Sequence, residues 1–263
     1  MKKLLSLGLS AVLSVGLLVG CGAGDTTSGN GNEEAGDSTE EKKVLVMGTS
    51  ADYPPFESVD SATGEIVGFD VDIARYITEQ LGYEFKIEDM EFSTLVPALT
   101  SGRADFVLAG MTPTEERKQN VDFSDIYHEA NNLIITKSDS GITSVEDLAG
   151  KTVGVQLGSI QEEAAKEIDG IEMVQRDRIP ALVQELLSNR IDAAIIEDAV
   201  ALGHLNQHEV LTSFILLDDE PGGSAIGFPK DSELVGPFNE ILLEMKESGM
   251  LEELMIKWFS EEE

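Results

Sequence analysis

Strand and helix signals that alternate from residue 43 onward, and an internal repeat placing Leu95 on Leu182, predict an α/β protein of two lobes. Each lobe should carry a mixed, mainly parallel sheet flanked by helices. Strands that alternate with helical segments cannot be joined by tight hairpins, so neighbouring strands run the same way. The repeat then says that this plan is used twice.

The elements follow in order. Val44 to Met47 is an apolar run ending in Gly48-Thr49-Ser50, which reads as a strand and turn. Ile73, Ala74, Ile77 and Leu81 recur at helical spacing, with Asp70 expected as N-cap and Gly82 as the stop. Tyr83 to Ile87 reads as a strand, Thr94 to Leu99 as a helix, and Asp105 to Leu108 as another strand. Leu95 to Asp105 aligns without a gap on Leu182 to Asp192, an offset of 87, and sets Gly110 opposite Glu197. A second pairing brings Val44-Leu45-Val46 near Thr152-Val153-Gly154-Val155. A repeat this long does not fit a solenoid and points to two similar lobes.

Composition narrows the function. The 263 residues include 50 acidic and 18 basic side chains, a formal net charge of -32. Nucleic acid is excluded as a partner, because its phosphates require a basic face. The single cysteine, Cys21, rules out a disulfide within the chain. Before it, Lys2 and Lys3 precede an apolar run from Leu4 to Gly20, the pattern of a signal peptide over 1–20. Leu18-Val19-Gly20-Cys21 resembles the bacterial lipobox, which implies cleavage before Cys21 and a lipid on it. Residues 22 to 41 lack any aromatic or large aliphatic side chain. They cannot bury enough apolar surface to fold, so 21–42 is expected to be a tether.

In parallel α/β sheets, ligands bind beyond the carboxyl ends of the strands, so the residues just after each strand are the candidates. Thr112 and Glu115 have capping-box spacing, with Pro113 at the first helical position and Arg117 beyond. Arg117 could fork onto a bound carboxylate. An ordinary capped surface helix, with Arg117 paired to Glu115 or Asp122, fits the same spacing. Ser159 and Glu162 form a second capping box around Ile160 and Gln161. Glu197, at a strand end, could hold an ammonium group or simply be solvated. Tyr53 and Phe92 could wall an aliphatic stem or a guanidinium, or pack in the core. His204 and His208 have no third ligand near them in sequence, so no metal is expected, and Trp258 is expected to pack the last helix onto its lobe. No nucleophile motif or phosphate-cradling loop is present, and no cofactor is implied.

Gly68-Phe69-Asp70-Val71-Asp72-Ile73, the stretch from Ala109 to Arg117, Val121-Asp122-Phe123-Ser124 and the stretch from Val153 to Ser159 resemble the signature of family 3 bacterial extracellular solute-binding proteins. The likeness spans residues 43 to 260 and is strongest to arginine-binding lipoproteins of Gram-positive amino-acid importers. It implies the type II periplasmic-binding-protein fold, with 43–130 and 222–263 as lobe 1 and 131–221 as lobe 2. A two-strand hinge would cross near Glu129 to Leu133 and return near Pro221 to Gly223.

The resemblance also implies a function without catalysis. A monomer tethered to the outer face of the cell membrane would capture a free amino acid, arginine above all, for a permease and its ATPase. Glutamine is the alternative ligand, and a dehydratase acting on prephenate or arogenate is the enzyme alternative on the same fold. By position, Arg117 would hold the α-carboxylate, assisted by Thr112 and the amide of Gly110 or Ile160. Glu197 would take the α-ammonium, and Tyr53 and Phe92 would be the aromatic walls. Related proteins with basic ligands carry Asp three positions before the wall tyrosine, where this chain has Ser50. Asp52 is the nearest acid and is expected as the guanidinium partner.

Overall fold

The computed structural model describes residues 43–216 and 222–260. The expected signal peptide, Cys21 and tether lie outside them. The chain opens with β1 (Val44–Thr49), a small antiparallel sheet of β2 (Asp52–Tyr53), β3 (Glu57–Val59) and β4 (Ile66–Val67), and then α1 (Phe69–Gln80). Next come β5 (Glu84–Asp89), α2 (Leu95–Thr100), β6 (Phe106–Val107), the short α3 (Glu115–Lys118) and β7 (Val121–Phe123). β8 (His128–Ala130) leads into β9 (Asn132–Lys137), followed by β10 (Thr152–Gln156), α4 (Ile160–Lys166), β11 (Glu172–Arg176) and α5 (Ile179–Leu187). The second part ends with β12 (Ala193–Glu197), α6 (Asp198–Gln207) and β13 (Leu211–Leu216). β14 (Gly222–Ser224), β15 (Gly227–Pro229), α7 (Val235–Ser248) and α8 (Met250–Phe259) complete the chain.

Two five-stranded sheets result, in the orders β5-β1-β6-β15-β7 and β11-β10-β12-β9-β13. In each, three strands are parallel, and strands from elsewhere in the chain add antiparallel edges. β8 and β14 pair antiparallel between them, with Gly223 opposite Glu129. The expected α/β fold of two sheet-based lobes with a two-strand connection is the one observed.

The repeat is visible atom by atom. Met47 and Gly48 face Phe106 and Val107, while Val153 and Gly154 face Ala193 and Ala194, the same positions one repeat later. Asp105 accepts the Val46 N–H at 2.7 Å, and Asp192 accepts the Thr152 N–H at 2.8 Å. Each acid thereby ties the start of a strand to the turn after its neighbouring helix. That turn needs a left-handed residue, supplied by Gly102 at φ 72° and by Asn189 at φ 57°.

Alternation along the central strands divides the core. Phe106, Ala194 and Ile196 belong to the largest apolar cluster, which gathers α1, α7 and α8 with α5 and α6. Val107 faces the other way, with Leu95 and Leu99, and Ala193 and Ile195 face Val153 and Leu148. Both faces of each sheet are covered, which is why these strands read as nearly continuous apolar runs.

Two helix starts differ from expectation. Asp70 is not the N-cap of α1. Gly68 is, and a Cβ there would collide with the Phe56 backbone. Asp70 lies buried in the first turn, where its carboxylate serves distant groups. The α3 cap is Thr114 and not Thr112, with Thr114 Oγ1 accepting the Arg117 N–H at 3.2 Å. The Thr112 carbonyl, which would have opened the helix, is taken by the Thr114 N–H and by the Arg117 guanidinium. Gly82, at φ 75°, follows the C-terminal turn of α1 as expected. Trp258 packs α8 against the largest core cluster, and its Nε1 donates to Asp72 at 2.8 Å.

Candidate functional site

The carboxyl ends of both sets of parallel strands converge on one cavity. From the first lobe it is lined by Tyr53, Phe92, Gly110, Thr112 and Arg117. The second lobe and the connection contribute Ala130, Asn132, Gln156, Ser159, Ile160, Gln161 and Glu197. Eight of the nine residues expected from sequence are therefore brought together. Asp52 is the one left out.

Arg117 is a half-buried cation. One guanidinium nitrogen donates to the Thr112 carbonyl at 2.6 Å, and the other donates to the Gly158 carbonyl at 2.8 Å. The group lies 5.3 Å from the centre of the Phe92 ring. Burial lowers its pKa to about 10, which leaves it charged at neutral pH. Among the described residues no carboxylate forms an ion pair with it. Glu115 pairs with Lys118 at 2.8 Å and Asp122 with Lys230 at 2.7 Å, so the surface pairing open from sequence is not the arrangement found. A partly desolvated charge whose hydrogen bonds go to carbonyl oxygens is poised for an anion.

Glu197 is its counterpart. Tyr53 donates its hydroxyl hydrogen to Oε2 at 3.1 Å. Oε1 is buried with no hydrogen-bond partner among the described residues and lies 3.9 Å from His128 Nε2. Burial pushes the Glu197 pKa up to about 8, and the charges of Asp198 and Asp70 add to this. Burial lowers the His128 pKa, so the imidazole stays neutral and does not neutralise Glu197. One oxygen of this acid is left for a cation.

A layer behind the cavity sets its shape. Asp70 accepts the Gly110 N–H at 2.9 Å and the Tyr127 hydroxyl at 2.8 Å. The Gly110 amide, expected to assist a bound carboxylate, is thus already engaged. Gly110 still matters as a backbone position, because its φ is 56° and a Cβ there would come within 3.1 Å of the Tyr53 ring. Glu57 is fully buried beside Asp70, and burial and that neighbour push its pKa well above the usual carboxylate range. Burial raises Asp70 to about 7.

On the opposite wall, Ser159 caps α4 as expected, accepting the Glu162 N–H at 3.2 Å. Glu162 reaches back to the Gly158 N–H at 2.8 Å, one residue earlier than in a capping box. Gln161 Nε2 donates to Asn132 Oδ1 at 2.7 Å, and Gln156 Nε2 donates to the Asp177 carbonyl at 3.1 Å. Asn132 and Gln156 were missed in the sequence. Gln156 ends β10 and could have been found by the strand-end rule that selected Glu197. Asn132 had no such signal, since its strand runs antiparallel to β12.

Asp52 points to another partner. Its Oδ1 accepts from Ser50 Oγ at 2.9 Å and from Arg178 at 3.4 Å, and its Oδ2 accepts the Ile179 N–H at 2.8 Å. Both oxygens are occupied outside the cavity. His204 is partly buried in α6, and among the described residues no group of three or more ligating side chains could hold a metal. Among the same residues, no helix is long and apolar enough to cross a membrane.

A cleft between two similar α/β lobes, with a cation on one wall and an acid on the other, defines a protein that encloses a small zwitterionic solute. The chain belongs to the bacterial extracellular solute-binding proteins, family 3, whose pattern matches residues 45–261. It is 50% identical over 267 residues to the arginine-binding extracellular protein ArtP of Bacillus subtilis (strain 168), covering all of both chains. Among solved structures it resembles an ancestral arginine-binding protein bound to arginine, at 42% identity and a TM-score of 0.77, over 83% of this chain and 99% of that one. An ancestral arginine-binding protein bound to glutamine is similar at 40% identity and a TM-score of 0.79, over 84% of this chain and 99% of that one. The chain is accordingly a solute-binding protein with an extracytoplasmic place of work.

Proposed function

We propose that this chain captures free L-arginine for an amino-acid ABC importer and hands it to the membrane permease, whose ATPase drives uptake. The observation that carries the reading is the facing pair of Arg117 and Glu197 on the cavity walls, one a cation held only by carbonyls, the other an acid with an unpartnered oxygen. Arg117 holds the α-carboxylate with Thr112 and the amide of Ile160 beside it. Glu197 receives the α-ammonium, and Tyr53 and Phe92 flank the aliphatic stem, with Gly110 giving it room and Gln161 adding a polar group. Each charge-assisted bond contributes about 1.5–3 kcal/mol, so a few of them reach micromolar affinity or better. The similarity to ArtP favours arginine as the solute. The apolar leader and the Leu18-Val19-Gly20-Cys21 motif support a chain held by lipid on Cys21 at the outer face of the membrane.

One observation favours glutamine as a second reading. Among the described residues that line the cavity, Glu197 is the one carboxylate, while Asn132, Gln156 and Gln161 bring amides. A guanidinium would have to be met by those amides and the aromatic faces alone.

The test is a thermal-shift panel of the twenty amino acids, with Arg117→Ala beside the wild type. A solute present at a hundred times its Kd adds about 2.7 kcal/mol, a shift of several degrees. The largest shift is expected with arginine, and Arg117→Ala should lose it while still melting cooperatively. A larger shift with glutamine would replace arginine as the solute. No shift with any amino acid, or a full arginine shift in Arg117→Ala, would sink the reading.

A further inference from the structure

Asp52 joins the two lobes. Its carboxylate is fixed from its own side by Ser50, and its side chain is only 8% exposed. Asp89, at the end of β5, is fixed in the same way by the Ala51 N–H at 2.9 Å. Both acids then receive donors from the other lobe, all from one dipeptide at the start of α5. Arg178 places its two terminal nitrogens on Asp89 at 3.0 and 3.2 Å and reaches Asp52 at 3.4 Å. Ile179 gives its N–H to Asp52 at 2.8 Å. No side chain of its own caps α5, so an acid from the opposite lobe does so. None of the three side chains lines the cavity.

We infer that Asp52, Asp89 and Arg178 form an interlobe latch that sets solute affinity without touching the solute. The acceptors are positioned within one lobe before closure, so little ordering is required when the donors arrive. In an open protein, Arg178 and the Ile179 N–H would return to water. A solute's apparent affinity is its intrinsic affinity scaled by the fraction of protein in the closed, competent form. The three residues act on that fraction. They are positioning residues for capture, and the arginine reading above enters only through the solute chosen as probe.

The sign of one effect separates this role from solute recognition. If Asp52 read a bound guanidinium, removing Arg178 would free Asp52 and tighten arginine binding. If the cluster is a latch, Arg178→Gln weakens it. Calorimetry and stopped-flow on the purified protein should show arginine affinity reduced about fivefold or more, mainly through faster dissociation. The unliganded melting midpoint of Arg178→Gln should stay near wild type, which a merely structural defect would not allow. Amide hydrogen exchange provides a second reading. With arginine bound, Ile179 should be protected, and Asp52→Ala should release it. Unchanged or tighter arginine binding in Arg178→Gln overturns the latch, as does an Ile179 amide indifferent to Asp52→Ala. If the wild type binds no arginine, the proposed function fails, and the Ile179 amide is then compared in the presence of the amino acid that most raises the melting midpoint. Exchange that speeds up in Asp52→Ala keeps it, and unchanged exchange removes it.

Discussion

Glu197 carries a proton where a ligand charge should go. With its pKa pushed up to about 8, the acid is mostly neutral in the empty protein at pH 7. An arriving ammonium favours the ionised form, so binding drives that proton into solvent. Arginine affinity should therefore rise with pH toward about 8, since the solute meets a carboxylate that is increasingly ready. Calorimetry at pH 7 in buffers of different ionisation enthalpy should report proton release approaching one per arginine, and Glu197→Gln should abolish it. Stability of the empty protein runs the other way. The folded state holds this proton above the ordinary value of 4.5, so Glu197 costs stability as pH rises from there through about 8. Binding heats that do not depend on the buffer would remove Glu197 as the ammonium site. Glu197 was legible in the sequence because it ends a strand and aligns with Gly110. Its pKa was not, because burial depends on Tyr53 and His128, which reach it from distant parts of the chain.

At the scale of elements, the repeat accounts for what could be read and what could not. Helix, left-handed turn and strand recur at the same spacing, so Leu95 to Asp105 predicted its partner segment correctly. Helix caps were less legible. Thr112-Pro113-Thr114-Glu115 contains two acceptable N-caps, and the choice of Thr114 depends on Arg117 taking the Thr112 carbonyl. Asp70 was misread because its partners, Gly110 and Tyr127, lie 40 and 57 residues away. Two glycines of the second lobe give a direct test of packing. A Cβ at Gly154 would lie 2.7 Å from both Ile191 and Leu182, whose side chains are themselves buried. Gly154→Ala should cost about 1–3 kcal/mol by overpacking. Gly203, inside α6, has open space where its Cβ would stand. Gly203→Ala should stabilise by up to about 1 kcal/mol, since alanine is the better helix former. Urea melts of the two variants should move in opposite directions. A neutral Gly154→Ala would mean that the β10 neighbourhood is looser than the packing implies.

For the whole molecule, capture separates into encounter and closure, and different residues govern each. Closure joins contacts that sequence could not pair, such as Asp52 with Ile179, which are 127 positions apart and carry no shared motif. Encounter depends on charge, and here the chain carries a formal -32. Such a field draws in cationic solutes and is screened over about 8 Å at physiological ionic strength. Arginine, with a net positive charge, should therefore associate more slowly as salt is raised. Glutamine, with none, should associate at nearly the same rate throughout. Dissociation should respond little for either solute if the closed form is held mainly by Asp52 and the Ile179 N–H, which are largely removed from solvent. Stopped-flow association rates from low to high salt would show the arginine slope clearly against a flat glutamine control. Equal slopes would mean that the acidic surface serves solubility alone. A fall in affinity carried by dissociation would instead assign the salt effect to the exposed Arg178–Asp89 contact between the lobes, whose side chains are 32% and 38% accessible.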